Sequence, residues 1–217
     1  MRFESRFFRS LEERLAKDAP GPAAQMAMAP KPRIGHRPFG EAQKTSLRAG
    51  VMLLLYPKEG SIYLVLIRRT QTVMHHRDQI GLPGGQVEGT ETFEQAALRE
   101  TWEELGVRPN LIRVLGRLTP LYIPVSDFCV YPVVGVADQP LTFVPDPREA
   151  AEVIELPLDH LLDAASVRLE DWVIHDIPVE VPFYALGPHK IWGATAMVLA
   201  EFLEMLKATK RQTYMNI

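Results

Sequence analysis

The apolar residues of this chain cluster into short runs whose period changes along its length. AGVMLLLYP at 49–57 and SIYLVLIRRT at 61–70 are aliphatic, aromatic and β-branched, and the Lys58-Glu59-Gly60 between them is a hairpin signal. LIRVLGRLTP (111–120) and FCVYPVVGVA (128–137) predict two more strands, joined by LYIPVSD. In PDPREAAEVIELPLDHLLDAA an acidic loop precedes a short strand and a helix from about Leu158, and VRLEDWVIHDIPVEVPFYALG predicts a late hairpin. The period lengthens elsewhere. Phe3, Phe7, Leu11 and Leu15 recur every four residues, which predicts an amphipathic helix over residues 1–17. From Ile191, IWGATAMVLAEFLEMLKATK has helical spacing and predicts a closing helix. Residues 18–46 are rich in Pro, Ala and Gly and are expected to be mostly extended. Strands interleaved with two main helices suggest a mixed α/β/α sandwich over residues 47–217, preceded by the helix and connector of residues 1–46.

Bulk properties narrow the class. A chain of 217 residues with 47% hydrophobic and 24% charged content suits one globular domain plus an extension. The net charge of −3 gives no electrostatic footprint for nucleic acid or an anionic membrane. No apolar run reaches the roughly 18 residues that span a bilayer. The single cysteine, Cys129, excludes an intrachain disulfide and a cysteine-rich zinc site and fits a reducing cytosol. A soluble, cytoplasmic protein is expected. The N-terminal helix with its connector either mediates a homodimer or caps its own domain.

The stretch GLPGGQVEGTETFEQAALRETWEELGV, from Gly81 to Val107, carries the candidate chemistry. Pro83, Gly84 and Gly85 form a turn that no helix accommodates. A helix then follows over 93–105, capped by Thr90 or Thr92 and stopped by Gly106. Glu100, Glu103 and Glu104 stand at i, i+3 and i+4 and share one face. Ala97, Leu98, Thr101, Trp102 and Leu105 occupy the adjoining arc, expected to pack inward. Crowded acids repel, so the arrangement is favourable when a hard divalent cation sits among them, and a solvated acidic face is the competing reading. The adjacent His75 and His76 diverge on regular structure, and GLPGGQ lacks the Lys-Ser/Thr of a P-loop.

The whole stretch resembles the Nudix box, GX5EX7REUXEEXGU, where U is a bulky aliphatic residue. Gly85, Glu91, Arg99, Glu100, Glu103, Glu104, Gly106 and Val107 match in register, and Thr101 departs at the first U position, where its hydroxyl requires a backbone partner. The resemblance implies a Nudix-type α/β/α sandwich and attack of water on a diphosphate. It implies that Glu100, Glu103, Glu104 and the Gly85 carbonyl bind Mg²⁺ or Mn²⁺, and that Arg99 and Glu91 form an ion pair tying loop to helix.

Flanking segments are similar to the coenzyme A diphosphatase branch of that family. Its leader, LLTxRSxxxRxxxGxxxFPGG, aligns with VLIRRTQTVMHHRDQIGLPGG, in which Arg69, Pro83, Gly84 and Gly85 match. Thr70, Met74, Asp78 and Leu82 stand where the branch has a small residue, Arg, Gly and Phe. The likeness returns in PGPAAQMAMAP, YPVVG, REAAEVIELPL and IWGATA. It implies a small-molecule nucleoside diphosphate substrate, coenzyme A or an acyl derivative, cleaved to 3′,5′-ADP and 4′-phosphopantetheine. ADP-ribose or a (deoxy)nucleoside triphosphate is the alternative, and a silent binding module a third. Glu149 lies where this branch keeps an acid and is the candidate fourth carboxylate, as ligand or base; a solvated loop acid beside Arg148 is the competing reading. Arg68, Arg69 and Arg77 are the candidates to meet substrate phosphates.

Overall fold

In a computed structural model describing residues 2–17, 19–70 and 78–215, the chain forms, in order, α1 (Arg2–Leu15), α2 (Pro22–Met26), α3 (Phe39–Ala42), β1 (Leu47–Lys58), β2 (Ser61–Arg69), β3 (Ile80–Gly81), β4 (Gly84–Gln86), α4 (Phe93–Leu105), β5 (Arg113–Arg117), β6 (Leu121–Ile123), β7 (Phe128–Val136), β8 (Ala150–Pro157), α5 (Leu158–Leu162), β9 (Val167–Ile174), β10 (Ile177–Leu186), β11 (His189–Trp192) and α6 (Gly193–Met215). Strand β1 sits at the centre. Its run from Met52 to Tyr56 is wholly buried, as a strand covered on both faces requires. Alternate side chains part to opposite sides of the sheet. Leu53 and Leu55 join Leu64 and Leu66 of β2 in a core with α6, Phe8 and Leu11 of α1, and Met28. Met52, Leu54 and Tyr56 join Val65 and Ile67 in a second core, with Ala97 and Leu105 of α4. The sheet is thus sandwiched between helical layers.

Along one edge β1 runs parallel to β7, from Leu47 opposite Phe128 to Leu55 opposite Val136. The other strand pairs are antiparallel. The other edge of β1 is divided. Leu55 to Lys58 pair with β2, while Ala49 to Val51 pair with β4. Beyond Leu64, β2 turns its inner edge to β3, through Ile67 and Arg68. The two central strands therefore splay apart, and residues 80–86 fill the gap, hydrogen-bonding to both. The Met52 N–H donates to the Pro83 carbonyl at 2.8 Å, and the Arg69 N–H to the Gln79 carbonyl at 3.0 Å. β8 lines the outer edge of β2, and β5 and β6 share the outer edge of β7. A second, three-stranded sheet has the order β11-β10-β9.

Several expectations are corrected. The connector is not mostly extended: it contains α2 and α3, and Pro22 occupies the first turn of α2, where a missing N–H costs nothing. It crosses the domain rather than hanging free. The Lys31 backbone pairs with Glu180 of β10, and the Arg37 guanidinium bonds Asp127, Ser46 and the Tyr122 hydroxyl. The closing helix starts at Gly193, because residues 189–192 pair with β10 as β11. LYIPVSD contains the strand β6, and the helix after β8 is a single short turn. No helix among the described residues is long and apolar enough to cross a membrane.

One buried carboxylate ties the N-terminal segment to the domain. Glu201 of α6 is fully buried and accepts hydrogen bonds from the Gly21 N–H at 3.2 Å and from Gln25 Nε2 at 2.8 Å. It also accepts from the Thr119 N–H at 3.2 Å and the Thr119 hydroxyl at 2.6 Å. Glu201→Ala strands those buried donors and should destabilise the fold by about 3 kcal/mol in urea titrations. An unchanged midpoint would refute this assignment.

Candidate functional site

Helix α4 is fixed at both ends. Thr92 is its N-cap and forms a reciprocal capping box with Gln95. Gly106 ends it in the left-handed conformation at φ 71°. Its last carbonyls do not face solvent. The Glu104 carbonyl accepts the Asp146 N–H at 3.0 Å and the Leu105 carbonyl accepts the Val144 N–H at 2.9 Å. That docking brings residues 144–150 against the end of the helix. Within the loop, the Asp146 carboxylate accepts from the Arg148 N–H at 2.8 Å and from its guanidinium, which holds the Asp146 carboxyl down at about 2. The Asp146 carbonyl accepts from the N–H groups of Glu149 at 3.0 Å and Ala150 at 2.9 Å. Just past the end of β2, the Thr70 N–H donates to the Glu149 carbonyl at 3.0 Å.

Glu149 is thereby set beside the helix acids. Glu100, Glu104 and Glu149 each offer a carboxylate oxygen, and the oxygens all lie within 4.8 Å of one another. Glu103 is not among them. It is 49% exposed and accepts Arg99 Nη1 at 2.9 Å, on the solvent side of the cluster.

Each buried acid is held by the segment wedged between β1 and β2. Glu104 is fully buried, accepting the Gly84 N–H at 2.9 Å and Arg69 Nη2 at 3.2 Å. Burial pushes its carboxyl from 4.5 up to about 8, against the opposing pull of Arg69 and Gly84. The Glu100 carboxyl is also raised by burial, with Arg99 opposing. Gly85 lies directly beneath Glu100: a Cβ there would stand 2.3 Å from Glu100 Oε1, so only glycine lets the carboxylate settle on this backbone. Arg99 ties the elements together. Its Nε donates to Glu91 at 2.8 Å, Nη1 to Glu100 at 2.8 Å, and Nη2 to the Gln86 carbonyl at 3.0 Å. The Glu91 and Glu100 bonds hold its guanidinium pKa above the ordinary value, and the Glu91 carboxyl is lowered in return.

The remaining residues divide. Thr101 is buried and its hydroxyl donates to the Ala97 carbonyl at 2.6 Å, the backbone partner its departure from the box demanded. Trp102, expected to pack inward, is 54% exposed, because the buried stripe runs through Ala97, Thr101, Glu104 and Leu105. Arg69 reaches Glu104 and the Gly84 carbonyl, whereas Arg68 bonds Glu152 at 2.9 Å and Asp78 at 2.6 Å, away from the cluster. Asp78 has φ 58°, a conformation natural to the glycine of the coenzyme A diphosphatase leader and tolerated by aspartate. Arg77, Met74, His75 and His76 lie outside the described residues. The organising role of Asp146 was missed; its signal is the Asp-Pro dipeptide, which initiates turns.

Three oxygen donors on two elements, two of them desolvated, suit a hard divalent cation. The chain is similar to known proteins. Residues 46–175 match the family model described as the NUDIX domain. The chain is 31% identical over 145 residues to an uncharacterized Nudix hydrolase, NudL, of Photorhabdus laumondii, covering 66% of this chain and 77% of that one. It is 31% identical over 179 residues to the mitochondrial coenzyme A diphosphatase NUDT8 of Homo sapiens, covering 80% and 72%. Among solved structures, the Nudix hydrolase RenU of M. smegmatis superposes with a TM-score of 0.51 at 22% identity, over 76% of this chain and 87% of that one.

Folding raises the Glu104 carboxyl from 4.5 to about 8, so between those values the metal-free native state holds a proton that the unfolded state has lost. Stability should therefore fall as pH rises through that window. In melts with chelator, Glu104→Gln should gain Tm relative to the parent from about pH 5 to about pH 8. A pH-independent difference would overturn this reading. Added Mg²⁺ or Mn²⁺ should stabilise the parent more than the variant.

Proposed function

The chain belongs to the Nudix hydrolase family, and from that premise we propose a divalent-metal-dependent diphosphatase acting on coenzyme A or an acyl derivative. The observation that carries the chemistry is the convergence of Glu100, Glu104 and Glu149 on one point. The substrate reading is supported by the likeness to human NUDT8 over 80% of the chain. It is supported also by a leader in which the departures at Leu82 and Thr70 are absorbed locally: Leu82 remains in the core, and the Thr70 hydroxyl donates to the Arg148 carbonyl at 2.7 Å.

Glu100, Glu104 and Glu149 would hold Mg²⁺ or Mn²⁺, with Glu103 and the Gly85 carbonyl completing the ligand set that the box implies. When bound, the cation neutralises the diphosphate and acidifies the attacking water. The chain supplies the rest. Glu149 is the candidate to take the proton from that water, since its loop is fixed by Asp146 while its carboxylate faces the helix acids. Arg69 keeps Glu104 aimed into the site. Arg99 and Glu91 lock the turn to the helix as positioning residues. The diphosphate then parts into 3′,5′-ADP and (acyl-)4′-phosphopantetheine. We place the activity in the cytoplasm, in keeping with a single, buried cysteine.

The test is product analysis with Mg²⁺ or Mn²⁺ and a panel of coenzyme A, acetyl-coenzyme A, ADP-ribose and dGTP. 3′,5′-ADP should appear fastest from coenzyme A or its acetyl ester. Cleavage of ADP-ribose or dGTP instead would retain the chemistry and replace the substrate. Glu149→Gln and Glu104→Gln should each lower kcat by about 100-fold or more, and Glu103→Gln by less. Equal losses at all three positions would remove the special place given to Glu149.

A further inference from the structure

The described residues include nine exposed large hydrophobics, and four of them, Val167, Leu169, Val173 and Ile177, fall within one hairpin, β9–β10. Val167, Leu169 and Val173 alternate along β9 and so share one face, at 45%, 55% and 73% exposure. β9 is also the last strand of its sheet. Among the described residues nothing pairs with its outer edge, and none of its eight residues is buried. An open edge of this length, bearing an apolar row, is a template for another strand.

We propose that this edge is the interface with a second copy of the chain, β9 pairing antiparallel with β9 about a two-fold axis. The charges on β9 select the register. A two-fold normal to the sheet keeps each face on its own side, so one residue lies opposite its own mate. Centring on Arg168, Glu170 or Asp171 sets like charges against each other. Centring on Trp172 leaves Arg168 without an opposite. Centring on Leu169 stacks the two leucines and sets Arg168 of each copy opposite Glu170 of the other, twice. The carboxylate is prepared for that contact. Glu170 Oε2 is engaged with Lys190 at 2.6 Å and Trp172 Nε1 at 2.9 Å, and its carboxyl is lowered chiefly by those bonds. Arg168 is exposed on the same face of the strand. The interface lies on the second sheet and is independent of the substrate proposed above.

The register makes the test specific. Residue 169 meets its own mate at a Cα separation of about 4.5–5.5 Å, within disulfide range, whereas the two copies of residue 173 lie about 27 Å apart. Cys129 is buried, so an introduced thiol reports alone. The full chain should sediment as a dimer. Under mild oxidation Leu169→Cys should convert almost wholly to a disulfide-linked dimer, and the more exposed Val173→Cys should remain monomeric on a non-reducing gel. Arg168→Glu, a surface change, should weaken the dimer at least about tenfold while leaving the circular dichroism spectrum unchanged. A parent that sediments as a monomer at about 100 μM would overturn the proposal. So would equal cross-linking at 169 and 173, which would mark random collision.

Discussion

A carboxylate cannot be taken out of water without something to meet its charge, and Glu104 is fully buried. The Gly84 N–H and the Arg69 guanidinium meet it, and much of the architecture around the site follows from supplying those two groups. Gly84 can point its N–H inward because β4 pairs with the first half of β1. Arg69 is available because β2 has already diverged from β1 and carries its last residues to the helix end. The gap between the two central strands is thus the element that builds the site. A continuous β1–β2 ladder would leave residues 80–86 no edge to bind and Glu104 no partners.

The arginines have separate tasks. Arg99 is a crosslink: with bonds to Glu91, Glu100, Glu103 and the Gln86 carbonyl, it fixes the loop after the turn to the helix that carries the acids. Arg69 works one layer deeper, between Glu104 and the Gly84 carbonyl. The fourth acid arrives by a different route. The C-terminal carbonyls of α4 need donors, and the loop that provides them carries Glu149. Satisfying a helix end and completing the carboxylate cluster are therefore one event.

What was legible in the sequence was local. Thr92 and Gly106 mark the ends of α4 because caps act within one turn, and the β1–β2 hairpin announces itself through two apolar runs about a glycine turn. The central strands are visible for the same reason. The wedge strands β3 and β4 are not. With two and three residues they carry no period, and their pairing is decided by the distant gap they fill. In the connector the prolines concealed helices, since at Pro22 the missing N–H falls where a helix start needs none. Trp102 was misplaced because 3.6-residue spacing gives the width of an apolar arc but not where the sheet cuts it. Glu149 came from resemblance alone; its distance from Glu100 along the chain leaves no periodic trace.

The charge balance at the site carries the argument one step further. Arg68 is held by Asp78 and Glu152, Arg69 by Glu104, Arg99 by Glu91 and Glu100, and Arg148 by Asp146. Each of these four guanidiniums already has an acid partner. At the centre, Glu100, Glu104 and Glu149 stand against Arg69 and an Arg99 that is shared with Glu91 and Glu103, so the fully ionised cluster keeps an excess of negative charge that repels a diphosphate. Burial answers that repulsion in the metal-free protein by holding the Glu104 proton to about pH 8. A divalent cation held by these three acids, as proposed above, would answer it differently, taking the place of the proton and supplying positive charge toward the phosphates. An all-carboxylate donor set of this kind would favour a hard cation over a soft one. On the function proposed above, electrostatics would make anionic substrate and metal linked ligands, each raising the affinity for the other.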